Sequence, residues 1–224
     1  MALNRRDFLR MSAALTAAGM SPSLFAATKE QFTIYGAPAM PSVTIAVAAA
    51  QGKLAKQADV SLEIWRSPDQ LRAGVASGQF KVMMSPSNVG VNLRNQGQQV
   101  GMVNILTNGI TQLMCKSTPI TSPQELVGKK ILVPFKNDMP DIVLQALLKK
   151  LNIDINKVDI TYAATPTEAI GLFLLKDFHA AILPEPMASA VVQKAKIVGT
   201  EIVRGFDLVK EWGQAFNTKP LIPM

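Results

Sequence analysis

One cysteine and one histidine are all that this chain offers of two residue types that dominate zinc binding and nucleophilic catalysis. Cys115 has no partner for an intramolecular disulfide, so packing must hold the fold together. It lies in the apolar, strand-like run Gln112-Leu113-Met114-Cys115-Lys116, the setting of a buried, inert thiol. A zinc site of His and Cys ligands cannot be assembled from one of each. Ser-His-Asp or Cys-His chemistry would depend wholly on His179, which follows Lys176-Asp177-Phe178 at the start of an apolar strand, the place of a surface or capping imidazole. No phosphate loop of the G-x-x-x-x-G-K-[ST] kind and no G-x-G-x-x-G turn occurs, and no cofactor is expected. Aromatics are scarce at 6% and do not interleave with the basic residues. The cations fall in separate pairs, such as Lys129 with Lys130 and Lys149 with Lys150, which reads as solvated faces and excludes a nucleic-acid footprint. After the N-terminal segment no apolar run approaches the ~20 residues needed to cross a bilayer.

What the chain does have begins at its N-terminus. Asn4-Arg5-Arg6-Asp7-Phe8-Leu9-Arg10, followed by MSAALTAAGM, has the order of a twin-arginine export signal: paired arginines, an aromatic, a third basic residue, then a weakly apolar stretch. That stretch is too short and too rich in Ala and Gly to be an anchor. The cut falls between residues 23 and 27, because Leu24 or Phe25 stands three back from a cleavage after Ala26 or Ala27, where a small residue is preferred. Taking residues 1–27 as the signal removes three Arg and one Asp and lowers the formal charge from +7 to +5. The expected product is a soluble, monomeric periplasmic protein that engages the twin-arginine translocase during export. The whole chain's 48% hydrophobic content is ample for a core.

A junction recurs along the rest of the chain. The alternating run Asp59-Val60-Ser61-Leu62-Glu63-Ile64-Trp65 leads into Ser67-Pro68-Asp69-Gln70, a capping box with Pro at the first helical position. Ser122-Pro123-Gln124-Glu125 and Thr165-Pro166-Thr167-Glu168 repeat it, and Ser85-Pro86-Ser87-Asn88 is a related start without Glu or Gln. Strand followed by helix, many times over, specifies α/β units and largely parallel sheets. Strands are expected over 32–35, 60–65, 80–84, 100–106, 112–115, 130–134, 158–162, 180–183 and 201–203. The clearest helices run over 140–151, with Ile142, Val143, Leu147 and Leu151 as the apolar stripe, and over 165–175. The polar run 116–121 marks a lobe boundary, giving a first lobe over 28–118 and a second over 119–224. Two such lobes would line a cleft with strand ends and helix starts, whose unpaired N–H groups can hold a ligand.

These segments, in this order, resemble the periplasmic substrate-binding proteins of ABC importers, specifically the group handling nitrate, sulfonates, taurine and thiamine-pyrimidine precursors. The resemblance covers residues 31–190 and rests on VSLEIWRSPDQLRAGVASG, on residues 80–88, on SPQELVGKKILVP, and on 165–175 leading to HAAILPEP with its Glu-Pro. It implies the two-lobed type II periplasmic-binding-protein fold, closing like a hinge on a small organic solute that is delivered to an ABC permease and ATPase complex. It also implies a return segment to the first lobe, most of which is missing here; its absence would leave apolar surface on that lobe. An exported enzyme on the same fold, acting on a small heterocyclic or organic acid substrate, is the alternative.

Position by position, the resemblance places the ligand against Ala37, Met40 and Pro41 after the first strand, Arg66 and Ser67 after the second, and Ser85, Ser87 and Asn88 after the third. Asn137 and Asp138 at a helix start, Glu185 beside Pro186, and Asn108 with Thr107 complete the set. Ser67 and Ser85 also suit plain N-caps, Asn137 and Asp138 a plain helix start, and Glu185 a carboxylate that bridges lobes. Tyr35 and Trp65 could stack on a flat ligand, but as strand aromatics they suit the core better. Asp138 and Asp141 at a helix start disfavour a simple anion and favour a neutral or cationic organic solute, an inference that Lys136 and Arg66 could reverse.

Overall fold

Proline-led caps decide where strand gives way to helix. In the computed structural model, which describes residues 30–53, 55 and 58–222, Ser67 Oγ accepts the Gln70 N–H at 3.2 Å while Gln70 Oε1 accepts the Arg66 N–H at 2.7 Å. Thr165 and Glu168 make the same reciprocal pair, at 3.1 Å and 2.8 Å to the N–H groups of Glu168 and Ala164. Each starts a helix by satisfying donors that the first turn leaves over. The third box, at Ser122, yields only a short 3-10 turn, Pro123–Leu126, where Glu125 instead gathers the Thr121 N–H and hydroxyl at 3.1 Å and 2.6 Å. At the related start Pro86, not Ser85, stands at the N-cap, so Ser85 is not a helix cap. The signal expected over 1–27 lies outside the described residues.

The order is β1 (Gln31–Gly36), α1 (Pro41–Ala50), β2 (Asp59–Ile64), α2 (Pro68–Ala76), β3 (Val82–Met83) and α3 (Ser87–Asn95) in the first part. β4 (Thr111–Lys116), β5 (Lys130–Pro134), α4 (Met139–Lys150), β6 (Asp159–Ala163), α5 (Pro166–Leu175), β7 (Ala180–Pro184), α6 (Met187–Ile197), β8 (Ile202–Arg204) and α7 (Leu208–Phe216) follow. Two sheets result: a parallel three-stranded one, ordered β2-β1-β3, and a five-stranded one, ordered β6-β5-β7-β4-β8. In the second, β5 runs parallel to β6 and β7, and β4 antiparallel to β7 and β8. The architecture is two α/β lobes with largely parallel sheets, as expected. By sheet membership, β4 goes with the second lobe, so the change of sheet comes before Thr111 instead of at 118/119. Lys116 ends this strand, and the rest of the polar run, 117–121, is the turn that follows it.

Helices cover both faces of the second sheet. β7 is buried at every position, the sign of a strand sandwiched on both sides. One face packs on α4 and α7 through Leu144, Leu147, Leu148 and Leu208; the other packs on α5 and α6 through Phe173, Ala188 and Val191. The buried stripe of α4 is Val143, Leu144, Leu147 and Leu148, whereas Ile142 faces solvent at 40% exposure. The helix starts at Met139, which turns the i, i+4 pairs 143/147 and 144/148 to the sheet. Leu147 is fully buried. Leu147→Ala should therefore lower unfolding stability by about 2–5 kcal/mol in a urea titration, and a loss under 1 kcal/mol would contradict this packing.

The first lobe is thinner. Its core is Tyr35, Trp65, Leu71, Val75, Phe80, Val89 and Leu93. Tyr35 stacks on Phe80 with ring centroids 3.6 Å apart, and α2 approaches that pair through Gly74, where a Cβ would lie 2.5 Å from the Phe80 ring. Trp65 donates its indole N–H to the Met84 carbonyl at 2.9 Å, so Tyr35 and Trp65 are core residues. The strand expected over 100–106 is not formed, although its neighbours in sequence are. β-propensity needs an adjacent strand to act on, and no strand of either sheet pairs with this stretch.

Candidate functional site

The carboxyl ends of β1, β2, β3, β5 and β7 lead into helix starts, and three cross-lobe contacts bring those from the two sheets together. Asp138, at the N-cap of α4, is 2% exposed and accepts the Met139 N–H at 2.9 Å. Its other contacts come from the first lobe: Arg72 Nη2 of α2 lies 3.2 Å from Oδ2, and Asn88 Nδ2 of α3 lies 3.3 Å from Oδ1. Elsewhere the Met40 N–H, before α1, donates to the Glu185 carbonyl after β7 at 2.9 Å. Phe135 follows β5 with φ of 61° and packs on the first lobe's core, its ring 6.4 Å from Trp65. Positive φ is uncommon for a bulky residue and is held here by the Phe135 N–H to Ala163 carbonyl bond of 2.9 Å. Asn137, also at positive φ, donates its N–H to Asp141 at 2.7 Å.

Around this junction the expected residues divide. Met40, Asn88, Asp138 and Glu185 sit directly on the cross-lobe contacts. Ala37 accepts the Ser42 hydroxyl at 2.6 Å and Pro41 opens α1, so both shape the first loop. Arg66 is exposed, and the Ser67 hydroxyl serves the cap of α2. Ser85 is half-buried just ahead of α3, and Ser87 is its first residue. Asn108 is exposed, with its carbonyl taking the Ile222 N–H at 3.3 Å. Asn88 Oδ1 and the hydroxyls of Thr107 and Thr111 are buried without a hydrogen-bond partner. Buried polar atoms left in that state are uncommon and mark places where a ligand or water completes the set.

Neither aspartate is a bare carboxylate. Asp138 is paired with Arg72, and the fully buried Asp141 accepts from Asn137 N, Gln145 Nε2 at 2.8 Å and the Tyr162 hydroxyl at 2.9 Å. Burial, reinforced by that bond and the Asp141 charge, pushes the Tyr162 phenol up to about 12. The expectation of a neutral or cationic solute loses its basis, because the charges it invoked are engaged within the protein. Arg72 is the residue the sequence hid best: its spacing from Asp69 reads as an ordinary i, i+3 surface pair, which it also forms at 3.2 Å.

Glu185 is held by Arg204 Nη2 at 2.7 Å and by the Ser189 N–H at 3.1 Å. Burial raises its pKa, and those hydrogen bonds with the Arg204 charge outweigh it, so the carboxyl sits below the ordinary range. A carboxyl depressed on folding contributes stability above its unfolded pKa and loses it as pH falls through the folded value. Glu185→Gln should thus flatten the acid side of the stability–pH curve and leave its slope at alkaline pH unchanged; parallel curves below neutrality would contradict this.

Two α/β lobes meet here at the carboxyl ends of their strands, the place where open α/β sheets bind ligands. The family model described as NMT1/THI5 like matches residues 40–182, and the chain belongs to that family. Residues 2–22 match the twin-arginine translocation pathway signal sequence, the address for export to the periplasm. No curated protein matches. Similar solved structures include an ABC transporter protein from Parabacteroides distasonis, with 20% identity, TM-score 0.58, and coverage of 81% of this chain and 59% of that one. The periplasmic aliphatic sulphonate binding protein SsuA from Escherichia coli shares 15% identity over 84% of this chain and 69% of its own, with TM-score 0.60. The ligand binding component of an ABC-type import system from Staphylococcus aureus shares 14% identity over 81% and 62%, with TM-score 0.64. The chain spans about three fifths of the length of the first of these. Among the described residues, no helix is long and apolar enough to cross a membrane.

Proposed function

We propose that this protein is the solute-capturing component of an ABC importer: it takes up a small organic solute between its lobes in the periplasm and presents it to a membrane permease and ATPase. The observation that carries this reading is the meeting of Asn88 and Asp138 from opposite lobes beside buried polar atoms with no protein partner. A solute bound there would touch both lobes at once, which is how binding energy becomes closure. In this reading Ala37, Met40, Pro41, Arg66, Ser67, Ser85, Ser87, Asn108, Asn137 and Glu185 supply the other contacts to the solute. Binding without turnover separates this role from an enzyme's.

Trp65 offers a direct reporter, since it is 3% exposed and lies 6.4 Å from Phe135 of the other lobe. With Trp212→Phe it becomes the only tryptophan. Titrating that variant with the small-molecule fraction of a periplasmic extract should give a saturable change in emission, weakened by Asn88→Ala. A flat titration, or chemical conversion of the compound that binds, would overturn the proposal.

A further inference from the structure

A carboxylate with no exposed surface is costly unless its surroundings are built to hold it. Asp141, in the first turn of α4, is such a group, and none of the ion pairs among the described residues includes it. Its three hydrogen bonds come from three parts of the second lobe. Oδ1 takes Gln145 Nε2 of α4 at 2.8 Å and the Tyr162 hydroxyl of β6 at 2.9 Å; Oδ2 takes the Asn137 N–H of the loop between β5 and α4 at 2.7 Å. Only one of these donors belongs to its own helix, so the carboxylate ties the loop to the helix and to the neighbouring strand.

That loop has reason to be tied. Phe135 and Asn137 both stand at positive φ, 61° and 60°, a conformation that side chains disfavour. Phe135 is fixed by its bond to the Ala163 carbonyl, and its own carbonyl takes the Asp138 N–H at 3.0 Å. The Asn137 N–H is left to Asp141. Lys136, between them, holds Nζ 5.2 Å from the centre of the Tyr162 ring, so the phenol braces the loop from its ring as well as through its hydroxyl. The two ends of the loop reach the first lobe, Phe135 at Trp65 and Asp138 at Arg72 and Asn88.

We propose that Asp141 is a positioning residue: by fixing Asn137 it holds residues 135–138 in the conformation from which Phe135 and Asp138 reach the other lobe. None of its hydrogen bonds extends to the first lobe, so it acts only through the loop. Its bearing on the solute rests on the capture reading above. A loop ordered in advance draws nothing from the binding energy when the lobes close. The split of donors between the two oxygens makes the loop bond separable from the others. An asparagine at this position keeps Gln145 and Tyr162 on its carbonyl oxygen by turning its NH2 group towards the Asn137 N–H, so that bond alone is lost.

Amide exchange and Trp65 emission in the Trp212→Phe background test this without any solute. Asp141→Asn should speed exchange at Asn137 by about tenfold and change the emission of Trp65 as Phe135 leaves it, while Leu147 and Leu148 of the same helix exchange as in the parent. Tyr162→Phe leaves Oδ2 and the Asn137 bond in place and should match the parent at Asn137. With the small-molecule fraction of a periplasmic extract as probe, Asp141→Asn should need about tenfold more of it for half the emission change. Parent-like exchange and emission in Asp141→Asn, or acceleration spread evenly over α4 as a merely structural loss would give, would overturn the proposal. So would a fast Asn137 amide in the parent itself, whether or not the variant folds. A flat titration of the parent would remove solute capture, and the solute-free exchange and emission would still decide whether Asp141 positions the loop.

Discussion

Asp138→Ala is expected to destabilise the protein by on the order of 3 kcal/mol and to open the two lobes. Three interactions disappear together: the N-cap of α4, the ion pair with Arg72 and the hydrogen bond from Asn88. Asp138→Asn separates them. Asn caps a helix about as well as Asp, so the unfolding midpoint should stay within about 1 kcal/mol of the parent. It cannot attract Arg72 as a carboxylate does, so the radius of gyration from small-angle scattering should rise as in Asp138→Ala. Arg72 is 39% exposed and regains water when released, so Arg72→Ala should open the lobes with little loss of stability. If all three variants scatter like the parent, the Arg72–Asp138 contact does not hold the lobes together.

Replacing Arg5 and Arg6 by Lys should abolish export, leaving the full-length precursor in the cytoplasm. Lys keeps the positive charge but not the planar guanidinium fork, so the double substitution tests recognition of the arginine pair and not of its charge. Fractionation followed by immunoblotting reads the outcome. Unchanged periplasmic yield would show that another route exports the chain.

How much of this was legible beforehand follows from which forces act locally. Caps and periodicity are local, so β5, α4, β6, α5 and β7 form within a residue or two of where the sequence places them. The strand expected over 100–106 failed because strand formation depends on a neighbour, which no local pattern supplies. The sheet that β4 joins was hidden for a related reason: β4 looks like a last strand of the first series until its antiparallel pairing with β7 is seen. At the cleft, the family resemblance pointed to strand-end loops, and Asn88, Asp138 and Glu185 on them make the cross-lobe contacts. The partners Arg72 and Arg204 were not legible, because pairs such as Arg72 with Asp138 meet only through the fold, and each looks ordinary in its own segment.

Asp138 and Asp141 show how much a site's chemistry depends on such partners. Read singly, two carboxylates at a helix start repel anions; in place, one is paired with Arg72 and the other carries three hydrogen bonds. The buried polar atoms without a protein partner are neutral, the Asn88 carbonyl oxygen and the hydroxyls of Thr107 and Thr111, while Arg66 remains an exposed cation.

Solute capture between the lobes is tested most directly by native mass spectrometry of the mature protein, purified gently from the periplasm. The prediction is a folded species carrying one small molecule per chain, released intact on collisional activation and absent from Asn88→Ala. A folded protein with no bound mass, which also fails to retain any component of a periplasmic extract, would contradict it.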